Sequence, residues 1–310
     1  MDTESTAATS DATRAGVLAV VGAANVGKST LVNAMVGEKV TIVSPVVQTT
    51  RNVVRAILTE PRGQLVFMDT PGVHRAQYDL GRMMNRMARQ AAEGVDAILL
   101  VVDGSRPPRE EDEGWMRRLL RPDMEAAVWI LCNKADLPAN QVKAYEECWD
   151  RLQTEKERTR DVRWRSISAK AGTGVEDLVT DLIDSMPIGP LLFPADVLTD
   201  YPRKLAIADT IREKYVTRLN DELPHAIAIW IDTINESPAK WSVQGTVYVN
   251  RNSQKGIVLG QKGRLLKQVC REAEAELTEL YEVPVKLQLW VKCEKDWARN
   301  FWMLRKMGYA

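Results

Sequence analysis

One short segment limits the possible folds of this chain more than any other. The apolar run at residues 17–22 (VLAVVG) leads directly into GAANVGKS at residues 22–29, and a helical pattern starts at Lys28 and ends near Gly37. The segment fits the pattern GxxxxGK[S/T], whose two glycines let the backbone wrap closely around a phosphate while the helix N-terminus adds a favourable dipole. A phosphate loop between a buried strand and a helix predicts an α/β domain with a mostly parallel sheet.

The first 186 residues continue this alternation. Further strands are predicted at residues 52–58, 64–69, 97–103, 127–133 and 163–168, and helices at 80–93, 110–120, 142–156 and 175–186. We therefore predict a disordered tail over residues 1–15, which are rich in Ser, Thr and Ala, and an α/β domain with helices flanking its sheet over residues 16–186.

Three prolines then interrupt the pattern within a few residues. Pro187, Pro190 and Pro194 predict a linker over residues 187–202. Residues 203–310 follow an α+β pattern, with predicted helices at 203–219, 264–281 and 295–308 and predicted strands at 225–234, 246–251 and 285–293. The change of pattern predicts a second domain.

The charge of the chain is unevenly distributed. The 310 residues carry 42 Lys and Arg and 42 Asp and Glu, so the formal net charge is zero. Residues 240–310, however, hold 13 basic and 7 acidic side chains, a net charge of +6. This asymmetry indicates a polyanionic partner for the C-terminal part.

The cysteines and the apolar runs indicate a cytoplasmic protein. The four cysteines lie far apart without a CxxC pair, so we predict reduced thiols and neither a zinc site nor a disulfide framework. The longest apolar stretch, residues 97–102, is far shorter than the roughly 20 residues that cross a bilayer, and residues 1–16 resemble neither a signal nor a transit peptide.

Three further motifs follow the phosphate loop, each at the end of a predicted strand: DTPG at residues 69–72, NKAD at 133–136 and SAK at 168–170. Behind a phosphate loop, Asp69 is predicted to hold Mg²⁺ through water, and the Gly72 N–H to sense the γ-phosphate. Lys28 is predicted to neutralise the β- and γ-phosphate oxygens, and the Ser29 hydroxyl to ligate Mg²⁺.

Together the four motifs resemble the signature of the translation-factor-related GTPases. The resemblance implies that Asp136 pairs with the N1 and N2 donors of guanine, a pair that adenine lacks. It also implies that Asn133 ties its loop to the phosphate loop, that Lys134 covers the base, and that the Ala169 backbone contacts the guanine carbonyl. The residues predicted to bind GTP or GDP are Gly22, Ala23, Ala24, Asn25, Val26, Gly27, Lys28, Ser29, Thr30, Asp69, Thr70, Pro71, Gly72, Asn133, Lys134, Asp136, Ser168, Ala169 and Lys170.

A polar segment, SPVVQTTR at residues 44–51, occupies the position of an effector switch. One threonine of this segment is predicted to ligate Mg²⁺ only while the γ-phosphate is present. We choose Thr50, and Thr49 remains the alternative. The predicted metal ligands are thus Ser29, Thr50 and Asp69.

The sequence predicts slow hydrolysis. Val73 follows DTPG at the place where Ras-like enzymes carry a glutamine that orients water, and valine cannot hydrogen-bond a nucleophile. His74 is interpreted as a surface loop residue. Asn25 is a stronger candidate, because related bacterial GTPases with Asn here use it to hold K⁺ beside the phosphates. The predicted catalytic residues are Lys28, Thr50, Gly72 and Asn25.

The segment GIVLGQKG, residues 256–263, leads into the long amphipathic helix and resembles the Gly-x-x-Gly loop of a KH domain, here of type II. Two glycines let the backbone approach a sugar-phosphate chain, and an adjacent apolar groove receives unstacked bases. The resemblance places residues 253–259 in a short helix before the loop. The predicted RNA contacts are Lys255, Gly260, Gln261, Lys262, Gly263, Arg264 and Lys267.

Taken over nearly the whole chain, these segments resemble the Era family, bacterial GTPases with a KH domain that act in small ribosomal subunit assembly. Ala24 departs from the family, which commonly has proline there. The resemblance implies a monomer that binds the single-stranded 3′ end of 16S rRNA in the 30S precursor and not DNA, and it alone suggests peripheral association with the inner membrane. We expect GTP to expose the KH groove and hydrolysis to release RNA. The alternatives are an adenine-nucleotide phosphotransferase and a non-hydrolysing RNA-binding scaffold.

Overall fold

A computed structural model describes residues 13–43, 50–73, 79–219 and 223–308, except for the side chain at position 225. Its larger sheet has the order β2-β3-β1-β4-β5-β6. The strands are β1 (Arg14–Val21), β2 (Val54–Glu60), β3 (Gly63–Asp69), β4 (Ala97–Asp103), β5 (Ala127–Asn133) and β6 (Arg163–Ser166). Every neighbouring pair is parallel except the hairpin of β2 and β3.

Helices cover both faces of this sheet. They are α1 (Lys28–Val36), α2 (Asp79–Gln90), α3 (Glu110–Leu119), α4 (Val142–Glu155) and α5 (Val175–Ser185). Helices α1 and α5 pack in one apolar core, and the C-terminal end of α2 packs with α3 and α4 in the other. Strand β4 is buried along its whole length because both of its faces are covered, which explains its unbroken apolar run.

The first strand begins earlier than the sequence predicted. Strand β1 includes Arg14 and Ala15, which lie within the predicted tail of residues 1–15. The Ala15 N–H donates to the Pro187 carbonyl over 3.1 Å, and the Gly189 N–H donates to the Thr13 carbonyl over 3.0 Å. Backbone pairing with residues beyond α5 therefore orders the start of the strand.

The C-terminal part forms a separate α+β unit with a three-stranded sheet of order β7-β8-β9. Its elements are α6 (Arg203–Val216), α7 (Leu223–Ala226), β7 (Ile227–Asn235), β8 (Trp241–Val249), α8 (Asn252–Leu259), α9 (Arg264–Tyr281), β9 (Val285–Cys293) and α10 (Phe301–Lys306). Strands β7 and β8 are antiparallel, whereas β8 and β9 are parallel. Helices α6, α8 and α9 pack on one face of the sheet.

Three predicted elements of this unit were wrong in detail. The strand expected at 225–234 starts at Ile227, because Leu223–Ala226 forms one helical turn that proline favours near its start. Strand β8 starts at Trp241, since it pairs on both sides. The closing helix is interrupted: Trp297–Arg299 form a 3₁₀ turn, and the Asn300 side chain caps α10 by accepting from the Trp302 and Met303 N–H groups.

The segment between the two units is held along the larger sheet. The buried Gln64 side chain accepts from the Leu192 and Phe193 N–H groups over 2.8 and 2.9 Å. Further along, Ile57 N–H donates to the Leu198 carbonyl, and Thr199 Oγ1 donates to the Arg55 carbonyl. The segment follows the open edge of β2 and covers its unpaired backbone groups.

The four cysteines are free thiols. Within the described ranges, no helix combines the length and the apolar character that a bilayer crossing requires.

Candidate nucleotide site and RNA-binding loop

The phosphate loop runs from the end of β1 to the start of α1, and two glycines fix its shape. Gly22 has φ +146°, and a Cβ there would lie 2.2 Å from the Val101 carbonyl oxygen. Gly27 has φ +98°, and a Cβ there would lie 2.3 Å from the Asn133 amide nitrogen. A larger residue at either position would therefore push the loop away from β4 or from the NKAD segment.

Lys28 lies inside this loop and is buried. Its ammonium donates to the Ala23 carbonyl over 2.8 Å and to the Gly22 carbonyl over 3.3 Å. Burial lowers the pKa of Lys28 to about 8, while the charges of Asp69 and Asp112 act to raise it. A cation that has already lost most of its hydration is well suited to pair with phosphate oxygens.

The three predicted metal ligands lie together. Ser29 Oγ lies 2.7 Å from Asp69 Oδ2 and 2.9 Å from Thr50 Oγ1. Burial raises the pKa of Asp69 to about 6, against the hydrogen bond from Ser29 and the charge of Lys28. The second oxygen of this carboxylate, Oδ1, is buried and has no hydrogen-bond partner among the described residues.

This donor set fits Mg²⁺. Mg²⁺ takes few protein ligands, prefers hard oxygens and keeps several waters or phosphate oxygens. One carboxylate and two hydroxyls supply such oxygens, and the unpartnered Asp69 Oδ1 is the buried acceptor that a metal-bound water would satisfy. Among the described residues there is no cluster of three or more His, Cys, Asp or Glu that would form an all-protein cage.

The DTPG segment packs directly against the phosphate loop. Thr70 Oγ1 donates to the Val20 carbonyl over 2.8 Å, and Val73 N–H donates to the Gly22 carbonyl over 3.2 Å. A Cβ on Gly72 would lie 2.6 Å from Ala24 Cα. A cavity lined by Gly72, Thr50 and the loop residues Ala24, Asn25, Gly27, Lys28, Ser29 and Thr30 opens between the two segments.

Val73 itself is partly buried against the core under α3 and α4. It presents no polar side-chain atom to this cavity. His74, Thr49 and the remainder of residues 44–49 and 74–78 lie outside the described residues. The choice between Thr49 and Thr50 thus stays a prediction, although Thr50 is the one whose position beside Ser29 is described.

The NKAD and SAK segments meet beside the loop. Asn133 Nδ2 donates to the Val26 carbonyl over 2.8 Å, and Asn133 Oδ1 accepts from the Ala169 N–H over 2.9 Å. Ser168 Oγ donates to Asp136 Oδ1 over 2.6 Å, and this hydrogen bond lowers the pKa of the exposed Asp136 carboxyl. Asp136 is held ionised and accessible, as recognition of two N–H donors requires.

Two predicted residues have partners that the sequence could not show. The Ala169 N–H, expected to contact the base, is occupied by Asn133, so its contact with guanine stays a prediction. Lys134 adopts φ +69° and pairs with Asp103 over 2.7 Å. Although burial acts to raise the pKa of Asp103, hydrogen bonds from Lys134 and Ser105 hold it below its usual value.

Three residues that shape the site are absent from the set predicted from the sequence. Asp103 positions Lys134, and Asn33 Oδ1 accepts from the Val40 and Thr41 N–H groups, which fixes the turn after α1. Thr41 is buried beside Ser29, and its hydroxyl donates to the Ser29 carbonyl over 3.3 Å. Of these three residues, only Asp103 could have been predicted from the sequence. It ends strand β4, and polar residues at the carboxyl ends of parallel strands line ligand-binding sites.

The segment after α1 also contacts the C-terminal unit. Lys39 Nζ lies 2.8 Å from Glu213 on α6 and 2.7 Å from Glu276 on α9. The Val43 N–H donates to the other oxygen of Glu213 over 3.0 Å. Lys214 pairs with both glutamates as well. We call these four residues, Lys39, Glu213, Lys214 and Glu276, the Lys39 cluster. The cluster links the segment that precedes the predicted switch to helices α6 and α9 of the C-terminal unit.

Arg51 makes a second link. It follows Thr50 directly, is 1 % exposed, and donates to the Ile227 carbonyl over 2.9 Å and to the Pro224 carbonyl over 3.2 Å. Its guanidinium carbon lies 5.6 Å from the ring centre of Trp297. A predicted metal ligand is thus joined, through the next residue, to the α7–β7 turn.

The GxxG segment forms a tight loop between α8 and α9. Gly260 has φ +70° and ψ 171°, and a Cβ there would lie 2.7 Å from Leu265 Cβ. Lys262 adopts φ +54° and Gly263 φ +74°. Gln261, Lys262, Arg264 and Lys267 are exposed, and Lys255 is half-buried. The loop therefore places several donors and cations on one surface.

Apolar side chains continue this surface. Ile257 is 53 % exposed, and helix α8 lies against both α9 and β9. Leu265 and Val291 are partly buried where these elements meet. Cations beside an apolar cleft on a GxxG loop are the features with which KH domains hold unpaired nucleotides.

The fold and the two sites define the class of protein: a P-loop GTPase domain joined to a KH domain. Comparison with family models agrees. Residues 17–134 match the model described as "50S ribosome-binding GTPase", and residues 222–298 match "KH domain".

The chain belongs to the Era family of GTPases. It is 36% identical over 300 residues to GTPase Era of Heliobacterium modesticaldum, covering 96% of this chain and 97% of that protein. It is 39% identical over 300 residues to GTPase Era of Caldanaerobacter subterraneus subsp. tengcongensis, covering 96% of this chain and 98% of that protein.

Two solved structures resemble the whole chain. One is Era in complex with MgGDPNP and nucleotides 1506–1542 of 16S ribosomal RNA, and the other is a tyrosine-to-alanine variant of Aquifex aeolicus Era bound to GDP and AlF₄⁻. Each matches with a TM-score of 0.87 at 34% identity and covers 96% of this chain and 99% of the matched chain. The chain is a GTP-hydrolysing enzyme with a KH domain, as the sequence predicted.

Proposed function

We propose that this protein is a slow GTP-driven switch whose KH domain binds the unpaired 3′ end of 16S rRNA and assists assembly of the small ribosomal subunit. The observation that carries the proposal is the link from the nucleotide site to the RNA module: Ser29, Thr50 and Asp69 lie together, and Arg51 anchors the residue after Thr50 in the C-terminal unit. The matched Era structure with bound 16S rRNA nucleotides supports the choice of RNA.

In this proposal the phosphate loop binds the phosphates and the NKAD and SAK segments select the base. Lys28 neutralises phosphate oxygens, and the Gly72 segment closes over the γ-phosphate side. Asp136, held by Ser168, accepts from guanine, so adenine would leave this carboxylate without donors. Mg²⁺, held through Ser29, Thr50 and Asp69, neutralises charge that develops on the β- and γ-phosphates.

We expect slow hydrolysis because, within the described residues 69–73, the position after DTPG carries a valine that cannot orient water. Val73 packs into the core and has no polar atom. We assign a supporting role to Asn25, which has φ +62° in the phosphate loop and lines the cavity, as a ligand for K⁺ beside the phosphates. The GTPase rate is therefore expected to fall when K⁺ is replaced by Na⁺, and to become insensitive to this exchange in Asn25→Ala.

Coupling passes through the two contacts with the C-terminal unit. When Thr50 engages Mg²⁺ beside the γ-phosphate, Arg51 and the Lys39 cluster transmit the change to α6, α9 and the α7–β7 turn. Helix α2, which follows the DTPG region, adds an apolar contact: Leu80 and Met84 pack with Tyr248 and Trp297. GTP exposes the RNA surface in this scheme, and hydrolysis releases the RNA.

We assign the protein to the small subunit because of the RNA in the matched Era structure. The matched GTPase family model is named for the large subunit, whereas the RNA in the matched Era structure comes from 16S rRNA. The +6 charge of residues 240–310 suits either RNA, so the choice rests on the second comparison. We place the protein in the cytoplasm with the ribosomal precursors. Peripheral association with the inner membrane rests on the family resemblance alone.

The proposal is tested by measuring affinity for a 16S 3′-end RNA with a GTP analogue, with GDP and without nucleotide, all at one salt concentration. Tighter binding with the analogue than with GDP is expected. Equal affinities in all three states would contradict the switch, and full RNA binding by the double variant Gln261→Asp, Lys262→Asp would contradict the KH assignment. GTP affinity of that variant serves as its folding control. Competition by ATP as strong as by GTP would support the phosphotransferase alternative.

A further inference from the structure

The outer face of the three-stranded sheet, opposite α6, α8 and α9, carries an aromatic row. Trp230 on β7 pairs in register with Thr246 on β8, which pairs with Trp290 on β9. The flanking core residues Ile229, Val247 and Leu289 belong to the apolar core, so the alternation of strand side chains places the row on the other face. Trp290 is 43 % exposed, although tryptophan at a sheet surface usually finds apolar neighbours.

The β7 side of this face is covered by an apolar cluster that includes Tyr248 and Trp297, against which Trp230 packs, whereas the β9 side is exposed and bordered by basic side chains. Thr246 is 1 % exposed and donates to Asp232, while Lys306 and Lys204 lie 5.0 and 6.0 Å from the ring centre of Trp230. Lys292, the next residue of β9 on the outer face, is also exposed. The row therefore combines one open indole ring, a second ring with two ammonium groups beside it, and a further lysine.

We propose that the exposed β9 side of this outer face is a second RNA-binding surface, on which an unpaired base stacks against Trp290 while Lys292 and, beyond it, Lys204 and Lys306 neutralise the neighbouring phosphates. The inference rests on the proposed function, because it concerns RNA that is already held by the GxxG loop. Exposed aromatic rings beside lysines on a sheet are how proteins bind single-stranded RNA without reading its sequence. Tryptophan is enriched at protein interfaces but lysine is depleted there, so the three lysines favour RNA over a protein partner.

Strand β9 connects this surface to the GxxG loop. It is the edge strand of the sheet, and helix α8 lies against it on the core side. Val291 of the apolar cleft and Trp290 are consecutive residues that point to opposite faces. An RNA strand leaving the cleft needs only to cross the open edge of β9 to reach the indole ring.

The test compares two RNAs by fluorescence anisotropy. The short RNA has about four unpaired nucleotides, the length that a GxxG loop clamps. The long RNAs add about four unpaired nucleotides at the 5′ or the 3′ end. We expect one long RNA to bind the wild-type protein more tightly, and Trp290→Ala to weaken its binding about tenfold while leaving the short RNA unaffected.

Two further variants separate stacking from folding. Trp290→Phe keeps an aromatic ring and should restore most of the affinity for the long RNA, whereas Gln288→Ala, a control on the same strand and face, should change neither RNA. Cross-linking from 4-thiouridine in the added nucleotides to the β9 peptide provides a direct contact measurement.

Several results would overturn the inference. They are equal affinity of the wild-type protein for the short and both long RNAs, equal loss of both kinds of RNA in Trp290→Ala, and concentration-dependent self-association that Trp290→Ala abolishes, which would assign the face to a second copy. Failure of the proposed function gives a different result, because the short RNA itself would then not bind or would bind independently of Lys262.

Discussion

The two glycines of the RNA loop allow a direct test of how the loop is held, through the pair Gly260→Ala and Gly263→Ala. Gly260 has φ +70° and ψ 171°, a region that essentially only glycine occupies, and this strain costs an added Cβ about 1–3 kcal/mol. That Cβ would also lie 2.7 Å from Leu265 Cβ and 2.9 Å from its backbone nitrogen. Since the obstacle includes backbone, the first turn of α9 must shift.

Gly263 is the matched control for stability. Its φ of +74° and ψ of 16° are left-handed helical, which costs an L residue roughly 1–2 kcal/mol, and no heavy atom lies within 4 Å of an added Cβ. We therefore expect Gly260→Ala to lower the free energy of unfolding of the C-terminal unit by about 3 kcal/mol and Gly263→Ala by about 1 kcal/mol.

Urea unfolding followed by circular dichroism measures this difference. Saturating GDP and Mg²⁺ in every sample shift the unfolding of the GTPase domain to higher urea, so that the first transition reports the C-terminal unit. Gly260→Ala should also lose binding of the short RNA while GTP binding is retained. Equal destabilisation by the two substitutions would refute the reasoning, because it would mean that the contact with Leu265 adds nothing to the backbone strain.

Three further predictions concern the nucleotide site and its links. Asp136→Asn should weaken GTP binding at least tenfold, because the amide N–H of Asn would face the N1 and N2 donors of guanine. The variant should favour xanthosine triphosphate, whose base has an oxygen acceptor in place of the N2 donor. Unchanged guanine preference in a competition assay would contradict the assignment of Asp136. The pKa of Asp69 is raised to about 6, so the carboxyl takes up a proton as pH falls through that value, and Mg²⁺-dependent nucleotide affinity should fall there. The same raised pKa means that the metal-free protein gains stability from this group as pH falls from 7 towards 4, and Asp69→Asn should lack both effects in titrations of binding and of unfolding. Lys39→Met should reduce the ratio of RNA affinities in the GTP-analogue and GDP states by about fivefold, with GTP affinity unchanged. This change corresponds to a coupling free energy of about 1 kcal/mol, as expected for partly exposed ion pairs. An unaltered ratio would exclude the Lys39 cluster from the coupling.

The parts of the protein that the sequence predicted well are those determined by neighbouring residues. The phosphate loop depends on Gly22 and Gly27, whose positive φ angles are a local requirement, and the alternation along β9 follows from burial on one face. Both signals are complete within a few residues. The order of four motifs then identified the kind of nucleotide site.

The errors and omissions involve contacts between distant segments. Asp103 pairs with Lys134, 31 residues later, and no pattern within β4 indicates that partner. Strand β7 starts two residues later than predicted, because Trp297, 71 residues away, donates to the Ala226 carbonyl and supports the helical turn there. Gln64 lies in an apolar strand and accepts from the Leu192 and Phe193 N–H groups. These partners are far away in the sequence, so the pattern around Gln64 could not predict that it holds the linker.

The held linker has a consequence for how the two units stay together. Asp200 pairs with Arg55 over 2.6 Å, and α6 begins at Arg203, so only two residues, a reach of about 7 Å, separate the held linker from α6. The first of them, Tyr201, is itself hydrogen-bonded to Asn52 and Asp209. Such a short tether gives each unit an effective concentration of at least about millimolar at the surface of the other. Contacts too weak to join separate molecules, such as the exposed ion pair of Lys39, can therefore form and break within one chain, and this makes them suitable for a reversible response to the nucleotide.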